Sequence, residues 1–457
     1  MGILGIFLAL AGLMYGAYRG LNVLFLAPIM GLLACLFHPE SPLMASYTQV
    51  FMPALGQYLL QYFPIFALGA IFGKMMNDSG AAQSIATAIS EKLGPRHAIL
   101  AVVLSCALLT YGGVSLFVVA FTIYPIAKLL FAKAQIPRRL IPGAIALGSF
   151  TFTMTALPGT PAIQNAIPMP VFGTTAFAAP FLGLVASAIM LICGLLWLQK
   201  RARFLQLESD ELTTEAQNSG GQARPHPSMP LALALLPLAL VLVLNFVFAK
   251  FIFSGLSAEY LALPQYGSTT LSKVVGLWSL ISALSVSLAV SLFLFRKSIA
   301  SYQNTINEGT YGSMLPILNT ASEVGFGAVI ASLPSFQLIQ SAVLNIAPSK
   351  PLVSLSVSVN ALAGITGSAS GGLSIALKAL GEQYVQMANA ANVSLETMHR
   401  VASVACGGLD ALPHNGAVIT LLTICQLTHK KSYFDIFMVA VAFPVLANVT
   451  IVILGSF

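Results

Sequence analysis

The sequence predicts an all-α polytopic membrane protein, and its composition and the spacing of its apolar runs carry that prediction. Of 457 residues, 57% are hydrophobic and only 8% are charged, whereas roughly a quarter of the residues in a soluble domain are charged. Apolar stretches of about 20 residues, the length that crosses a bilayer as a helix, recur from end to end. The chain also carries a net charge of +7. Its basic residues are scattered at the ends of apolar runs, so we interpret them as topology signals and expect no nucleic-acid partner.

The apolar runs place the membrane spans in order along the chain. In the first part they lie near residues 3–18, 21–37, 51–73, 97–111, 114–130, 139–156 and 172–198. A hydrophilic stretch then follows at 199–228, and its GlnAsnSerGlyGly core is typical of a flexible linker. Beyond it the runs lie near residues 229–253, 272–295, 311–332, 352–367, 373–390, 399–410, 417–428 and 433–455.

Short motifs recur in the same order in the two parts, which indicates an internal repeat. GlyGlyValSer at 112–115 is followed by AlaLeuPro at 156–158, and GlyGlyLeuSer at 371–374 is followed by AlaLeuPro at 411–413. We therefore predict two diverged copies joined by a cytoplasmic linker at 199–228. The predicted boundaries are 1–198 for the first repeat, with scaffold spans in 1–75 and transport elements in 79–171, and 229–457 for the second, with scaffold spans in 229–332 and transport elements in 334–429.

The charges beside each GlyGly pair suggest how the two copies are oriented. The first pair is flanked by basic residues such as Lys92, Lys133 and Arg139, which mark the cytoplasmic side, so both legs form a re-entrant hairpin with GlyGly at its tip. The flanks of the second pair, which include Lys350 and Arg400, nearly cancel in charge and suit the outside. Each copy then has about five spans, one re-entrant hairpin and one discontinuous helix, an odd number of crossings. Inverted-topology repeats with broken helices are typical of secondary transporters.

The two AlaLeuPro motifs predict helix breaks at Pro158 and Pro413. A proline within a helix costs about 3 kcal/mol or more, and irregular backbone at membrane depth is tolerated where it lines a cavity. A plain loop at the membrane surface is the alternative. Because the motif occurs at corresponding positions of both copies, we favour a functional break.

Four helices that begin near Ser115, Thr160, Ser374 and Asn415 would direct their positive N-terminal ends at one site. Such a site favours an anion, and glycines let backbone N–H groups approach it closely. The predicted substrate-binding residues are Tyr111, Gly112, Gly113, Ser115, Thr155, Gly159, Thr160, Gln164, Asn165, Gly371, Gly372, Ser374, His414 and Asn415.

Ionisable residues inside the apolar runs are candidates for coupling to an ion gradient. Asp410 and His414 flank the second break and form a candidate proton relay. Alternatively, Asp410 caps a helix or binds sodium while His414 binds only substrate. We interpret Glu323 as an interfacial cap, and Lys378 either neutralises a substrate carboxylate or extends to the membrane surface.

Four segments resemble the gluconate permease family within the ion transporter superfamily: residues 111–121, 139–143, 156–165 and 407–416. The resemblance covers essentially the whole chain. It implies a proton symporter of the bacterial inner membrane for small hydroxy acids, such as gluconate and related sugar acids, glycerate, D-serine or 3-hydroxybutyrate. The apolar surroundings of PheThrPheThrMetThr at 150–155 resemble the hydroxybutyrate branch more than the sugar-acid branch.

We therefore predict proton-coupled symport of a small hydroxy monocarboxylate by alternating access, without a cofactor or a metal. A sodium-coupled organic anion transporter is the closest alternative, and an ion channel built on the re-entrant loops is a further one. The sequence has neither HExxH nor GxSxG, so we predict that the protein is not an enzyme. The apolar surface of the opening spans leads us to expect a homodimer.

Overall fold

The structure is a computed structural model, and it describes residues 2–19, 21–114, 116–208, 229–338, 341, 347, 349–413 and 415–456. In this part of the chain the regular secondary structure consists of helices, without a β-strand. Two predicted site residues, Ser115 and His414, lie outside the described residues. Most of the predicted linker, residues 209–228, lies outside them as well.

The helices are numbered here in chain order. The first half contains α1 (Gly2–Tyr18), α2 (Val23–Leu36), α3 (Leu43–Asp78), α4 (Ala81–Leu93), α5 (Ala98–Tyr111), α6 (Leu116–Lys133), α7 (Ile141–Ser149), α8 (Phe152–Thr155), α9 (Ile163–Ala166), α10 (Pro168–Phe172) and α11 (Pro180–Glu208). The second half contains α12 (Leu231–Ile252), α13 (Leu271–Leu294), α14 (Tyr302–Ser332), α15 (Pro351–Thr366), α16 (Ala369–Ala390), α17 (Leu395–Cys406), α18 (Gly416–Ile424) and α19 (His429–Leu454).

The predicted class of fold, an all-α polytopic membrane protein, is confirmed. In the described part of the chain, six helices are long and apolar enough to cross a membrane, namely α3, α11, α12, α13, α14 and α19. Helices α4 and α5 add a seventh if this pair, bent by 108°, is one broken span. Large apolar side chains such as Phe7, Phe25 and Phe181 are exposed on the outer helices, where lipid would cover them.

The predicted spans at 139–156 and 172–198 differ from the observed helices. Helix α7 ends at Ser149, and the chain resumes helical structure only in the single turn of α8. Residues 173–179 are not helical, with Gly173 and Ala179 both at positive φ, so α11 begins later than predicted, at Pro180. A positive φ ends a right-handed helix, and hydropathy does not report it.

Helices α3 and α14 pack against each other in antiparallel orientation near the centre of the molecule. Gly325 of α14 lies beside Phe51 at the start of α3, whereas Gly309 lies beside Ile71 near the other end of α3. A Cβ atom on Gly309 would lie 2.7 Å from the Ile71 Cα atom, so glycine permits the close backbone approach that is typical of membrane helix pairs. Lys74 of α3 forms an ion pair with Glu308 of α14 at one end of this crossing.

Two helical hairpins flank this central pair. The first hairpin consists of α5 and α6, and Gly113 in its turn has a φ of 96°. The second hairpin consists of α15 and α16, and Gly367 in its turn has a φ of 63°. Both turns need a residue in the left-handed backbone conformation, which glycine adopts readily.

The predicted position of the GlyGly pair holds only for the first hairpin. In the second, Gly371 and Gly372 lie in the first turn of α16, past the tip. Helix α16 begins at Ala369, five residues before the predicted Ser374, because Ser368 accepts a hydrogen bond from the Gly371 N–H (3.1 Å) and caps the helix. A side chain on Gly372 would overlap the Ala363 backbone, so this glycine lets α15 and α16 cross closely.

Candidate functional site

A cavity of about 680 Å³ lies where the two hairpin tips and the two helix breaks meet. Its wall includes Gly113 from the first hairpin, Gln164 after the first break, Gly367 from the second hairpin, and Asp410 and Asn415 from the second break. Helices α3 and α14 and residues 21–23 line further sides. The volume lies in the range of roughly 300–1,000 Å³ that is usual for small-molecule sites.

The two halves of the chain contribute chemically different faces to this cavity. The first half supplies a mostly apolar face, with Asn22, Thr110 and Gln164 as its polar members. Its apolar members are Leu21, Val23, Ile65, Phe66, Val114, Leu116, Phe150, Met154, Pro161 and Ile163. The second half supplies most of the polar members, which are Ser313, Asn319, Thr320, Glu323, Thr366, Ser368, Ser370, Asp410, Asn415 and Thr420, and it also contributes Leu315, Pro316 and Ile419. The cavity is therefore amphipathic.

The backbone freed at the first break is hydrogen-bonded by side chains from other parts of the fold. The Tyr111 hydroxyl donates to the Pro158 carbonyl (2.6 Å), which fastens the first hairpin to the break. The Asn165 amide donates to the Thr160 carbonyl (3.0 Å). These bonds replace the backbone hydrogen bonds that the interrupted helix cannot form, since a buried carbonyl at membrane depth needs a donor.

Arg400 of α17 provides the largest share of these hydrogen bonds. Its side chain has 0% exposure, and its guanidinium donates to the carbonyls of Thr155 (3.4 Å), Ala176 (3.2 Å) and Ala178 (2.8 Å) and to the Asn165 side chain (3.2 Å). A buried charge is tolerated when it is hydrogen-bonded in this way. Arg400 is therefore not the loop charge that we counted from the sequence as an orientation signal, and it bonds the first break to the second half of the chain.

The predicted substrate-binding residues divide into two groups in the structure. Gly113, Gln164 and Asn415 line the cavity. Among the described residues, those that lie behind its wall are Tyr111, Gly112, Thr155, Gly159, Thr160, Asn165, Gly371, Gly372 and Ser374, together with Pro158 and Pro413 at the breaks. Several of these, such as Tyr111 and Asn165, use their polar groups to hold the break together.

The helix ends also differ from the prediction. Helix α9, after the first break, has only four residues, too few to build up a macrodipole. Helices α6, α16 and α18 each begin beside the cavity, at Leu116, Ala369 and Gly416. Three positive helix ends therefore surround the site, where we predicted four.

The second break borders the cavity, and hydrogen bonds join it to neighbouring elements. The Asn415 side chain accepts from the Val418 N–H (2.8 Å), which caps α18, and donates to the Gly367 carbonyl (2.8 Å) at the tip of the second hairpin. His429 donates to the Pro413 carbonyl (3.0 Å). Asp410 lines the cavity, and its Oδ1 atom is buried without a hydrogen-bond partner among the described residues.

Glu323 is the cavity residue that our sequence reasoning placed elsewhere. It lies inside α14 with 4% exposure rather than at a membrane surface, and it lines the cavity. Its Oε2 atom is buried and has no hydrogen-bond partner in the described structure. The sequence signal that indicates its role is the rule that an ionisable residue within a membrane helix marks a functional site. Helix α14 also extends nine residues further toward the N-terminus than the predicted span, to Tyr302.

In the described part of the chain, the acidic or basic side chains that line the cavity are carboxylic acids. Glu323 and Asp410 are the only Asp, Glu, Lys or Arg side chains among the described lining residues. Lys378, which we considered as a partner for a substrate carboxylate, is exposed and donates to Gln57 (3.1 Å) away from the cavity. An anion can therefore occupy this cavity favourably only if at least part of the wall charge is neutralised.

Comparison with known proteins gives three similarities. The model of the GntP family permease matches residues 29–408. A relative from Bacillus subtilis (strain 168), the uncharacterized transporter YxjC, is 45% identical over 450 residues, which cover 96% of this chain and 95% of that protein. The crystal structure of the YdaH transporter of Alcanivorax borkumensis, described as having an unusual topology, is similar with a TM-score of 0.55 and 14% identity, over 88% of this chain and 86% of that one. This last similarity concerns the fold alone.

Proposed function

The chain belongs to the GntP family of permeases and is a membrane transporter, and from this premise we propose that it is a proton-coupled symporter of a small hydroxy monocarboxylate. The observation that carries the proposal is the pair of carboxyl groups, Glu323 and Asp410, in a cavity whose described lining holds no lysine or arginine. We place the transporter in the bacterial inner membrane, with no cofactor and without enzymatic activity. A homodimer remains our proposal for its assembly.

Charge balance connects the carboxyl pair to coupling. A carboxylate substrate entering a low-dielectric cavity beside two carboxylates would be repelled by both of them. Protonation of the carboxyl groups removes that repulsion. The substrate therefore binds favourably only together with the proton that drives its transport. Asp410 is our candidate for the coupling proton because it lines the cavity and its Oδ1 atom is buried without a hydrogen-bond partner among the described residues.

The two faces of the cavity support a particular substrate class. Three helix N-terminal ends and a wall rich in hydroxyls and amides suit a carboxylate and a neighbouring hydroxyl. The opposite face, with Phe66, Phe150 and Met154, offers few hydrogen bonds and suits a short hydrocarbon end. A 3-hydroxybutyrate-like acid has both ends, whereas gluconate carries hydroxyls along its whole length and would leave several of them unpaired against the apolar face.

We further propose that the two halves are inverted repeats that work by alternating access. Helices α3 and α14 come from different halves of the chain, and each has a proline in its interior, Pro64 and Pro316. Their antiparallel crossing is the relation expected of corresponding helices in inverted repeats, so it supports this proposal. The meeting of both hairpin tips and both breaks at one cavity is the arrangement expected for substrate binding at a repeat interface.

Purified protein in proteoliposomes tests the proposed function. We expect radiolabelled 3-hydroxybutyrate to accumulate when the outside is acidic, without sodium, and to saturate with concentration. Unlabelled gluconate, glycerate and D-serine would compete less well than unlabelled 3-hydroxybutyrate. Accumulation that requires a sodium gradient at equal pH would contradict proton coupling, and a non-saturating flux would indicate a channel.

Sodium coupling is the second candidate, and one observation favours it. The hydroxyl oxygens of Thr320 and Ser370 lie 3.4 Å apart beside Glu323 in the cavity wall. Oxygen ligands of this kind, together with a carboxylate, suit a hard cation. The same proteoliposome experiment, with a sodium gradient imposed in place of the pH gradient, distinguishes the two.

A further inference from the structure

We propose that Glu323 binds a second coupling proton, so that two protons accompany each monocarboxylate and every transport cycle moves one net positive charge. This inference rests on the proposed symport function and deepens it. It assigns a role to the scaffold helix α14, whereas Asp410 belongs to the second break. The two carboxyls would then act as separate proton sites, one on the scaffold and one on the transport elements.

The position of Glu323 relative to the second hairpin is the first step. A Cβ atom on Gly371 would overlap the Glu323 Oε2 atom, so the carboxyl lies directly against the first turn of α16. The Gly371 N–H donates to the Ser368 hydroxyl, and the Gly372 N–H donates to the Ser368 carbonyl (2.9 Å). Glu323 is therefore close to the helix end without receiving its N–H groups, and it does not act as the helix cap.

The lack of a counter-charge is the second step. Among the described residues, Tyr58 on α3 is the ionisable side chain that interacts with Glu323, and Asp410 lines the same cavity; neither can be positively charged. On α16, the nearest cation along the helix is Lys378, which is exposed and hydrogen-bonded to Gln57. An ion pair thus does not hold the carboxylate form of Glu323 in the described structure, and the residue lines the cavity.

Charge counting is the third step. With Asp410 alone protonated, a monocarboxylate would still meet the carboxylate of Glu323 across the same cavity. Repulsion between two such charges at low dielectric is large compared with thermal energy. A second proton on Glu323 removes it. One carboxylate and two protons carry a net charge of +1, and the empty carrier returns with both carboxyls deprotonated.

The experiment measures charge movement in proteoliposomes with radiolabelled 3-hydroxybutyrate as the probe. At a fixed pH gradient, an inside-negative potential of about 60 mV, set with potassium and valinomycin, should raise steady-state accumulation about tenfold, since 59 mV is a factor of ten for one charge. We expect Glu323→Gln to lose the response to potential, because one proton per carboxylate moves no net charge. Glu308→Gln, on the same helix but exposed and paired with Lys74, should behave as the wild type.

The outcomes separate this inference from the proposed function. If the wild type accumulates substrate with a pH gradient but does not respond to potential, one proton is moved and the second site is refuted, while symport stands. A Glu323→Gln variant with the full wild-type response to potential also refutes it. If that variant does not fold, the reversal potential of the wild type still decides, because it must correspond to two protons per carboxylate. No pH-driven uptake at all would refute the proposed function itself.

Discussion

The two helix breaks share the AlaLeuPro motif but differ in how the surrounding residues bond them and in how much of each break lines the cavity. At the first break, Arg400, Tyr111 and Asn165 bond the freed carbonyls, and the predicted residues around it mostly lie behind the cavity wall. At the second, Asp410 and Asn415 face the cavity, and an oxygen of Asp410 has no partner among the described residues. A broken helix is therefore not by itself a binding site. The first break is mainly structural, and we assign the chemistry to the second.

The sharpest difference is expected from Asp410→Asn. Asparagine keeps the size of the side chain but cannot carry a proton. With the proton site of Glu323 alone left, gradient-driven uptake should fall well below that of the wild type, while substrate exchange across the membrane persists. Both are measured with radiolabelled substrate in proteoliposomes. Asp78→Asn is the control, because Asp78 accepts a hydrogen bond from Thr305 (2.7 Å) away from the cavity. Loss of exchange together with uptake, in a folded protein, would contradict the assignment of Asp410 to coupling.

Arg400→Met should show the opposite pattern, with its main effect on stability. It leaves the carbonyls of Thr155, Ala176 and Ala178 without this donor, and each buried group left unpaired costs about 1–3 kcal/mol. We expect a large drop in the melting temperature of the detergent-solubilised protein. Arg400→Lys should recover little of it, because one ammonium group cannot reach all of these acceptors. A stable Arg400→Met protein that no longer exchanges substrate would make Arg400 a binding residue instead.

Gly372→Ala tests the close crossing in the second hairpin. The added methyl group would overlap the Ala363 backbone, so α15 and α16 must separate and the melting temperature should fall. Gly56→Ala is the matched control, since nothing lies within 4 Å of the methyl group it would add. There, alanine should be neutral or stabilise the helix by about 0.5–1 kcal/mol. Equal melting temperatures for the two variants would contradict the crossing geometry.

Tyr111→Phe should have the smallest effect of this series. It removes only the hydrogen bond from Tyr111 to the Pro158 carbonyl, which corresponds to about 0.5–1.5 kcal/mol of stability. Uptake should remain close to that of the wild type, because Tyr111 lies behind the cavity wall. A marked increase in KM with unchanged stability would instead place the hydroxyl in the binding site.

The sequence was sufficient to predict the class of fold and most long helices, because apolar runs of membrane length report burial in lipid directly. It also located both breaks and the first hairpin tip, since Pro and Gly act locally. It was insufficient for Arg400 and Glu323. Arg400 was counted as a loop charge because its acceptors, such as Ala178, lie more than 200 residues away in the chain. The sequence alone predicts a cap at Glu323, because the cavity around this residue is formed only when the second hairpin packs against α14.

The most direct test of the central claim is proton movement with substrate. Proteoliposomes with a pH-sensitive dye inside, and no sodium, would receive external 3-hydroxybutyrate while the internal pH is recorded. We predict internal acidification by the wild type that exceeds the slow signal of empty liposomes and that is smaller, per substrate taken up, in Asp410→Asn. Substrate uptake by the wild type without any acidification beyond that of empty liposomes would contradict proton symport through this cavity.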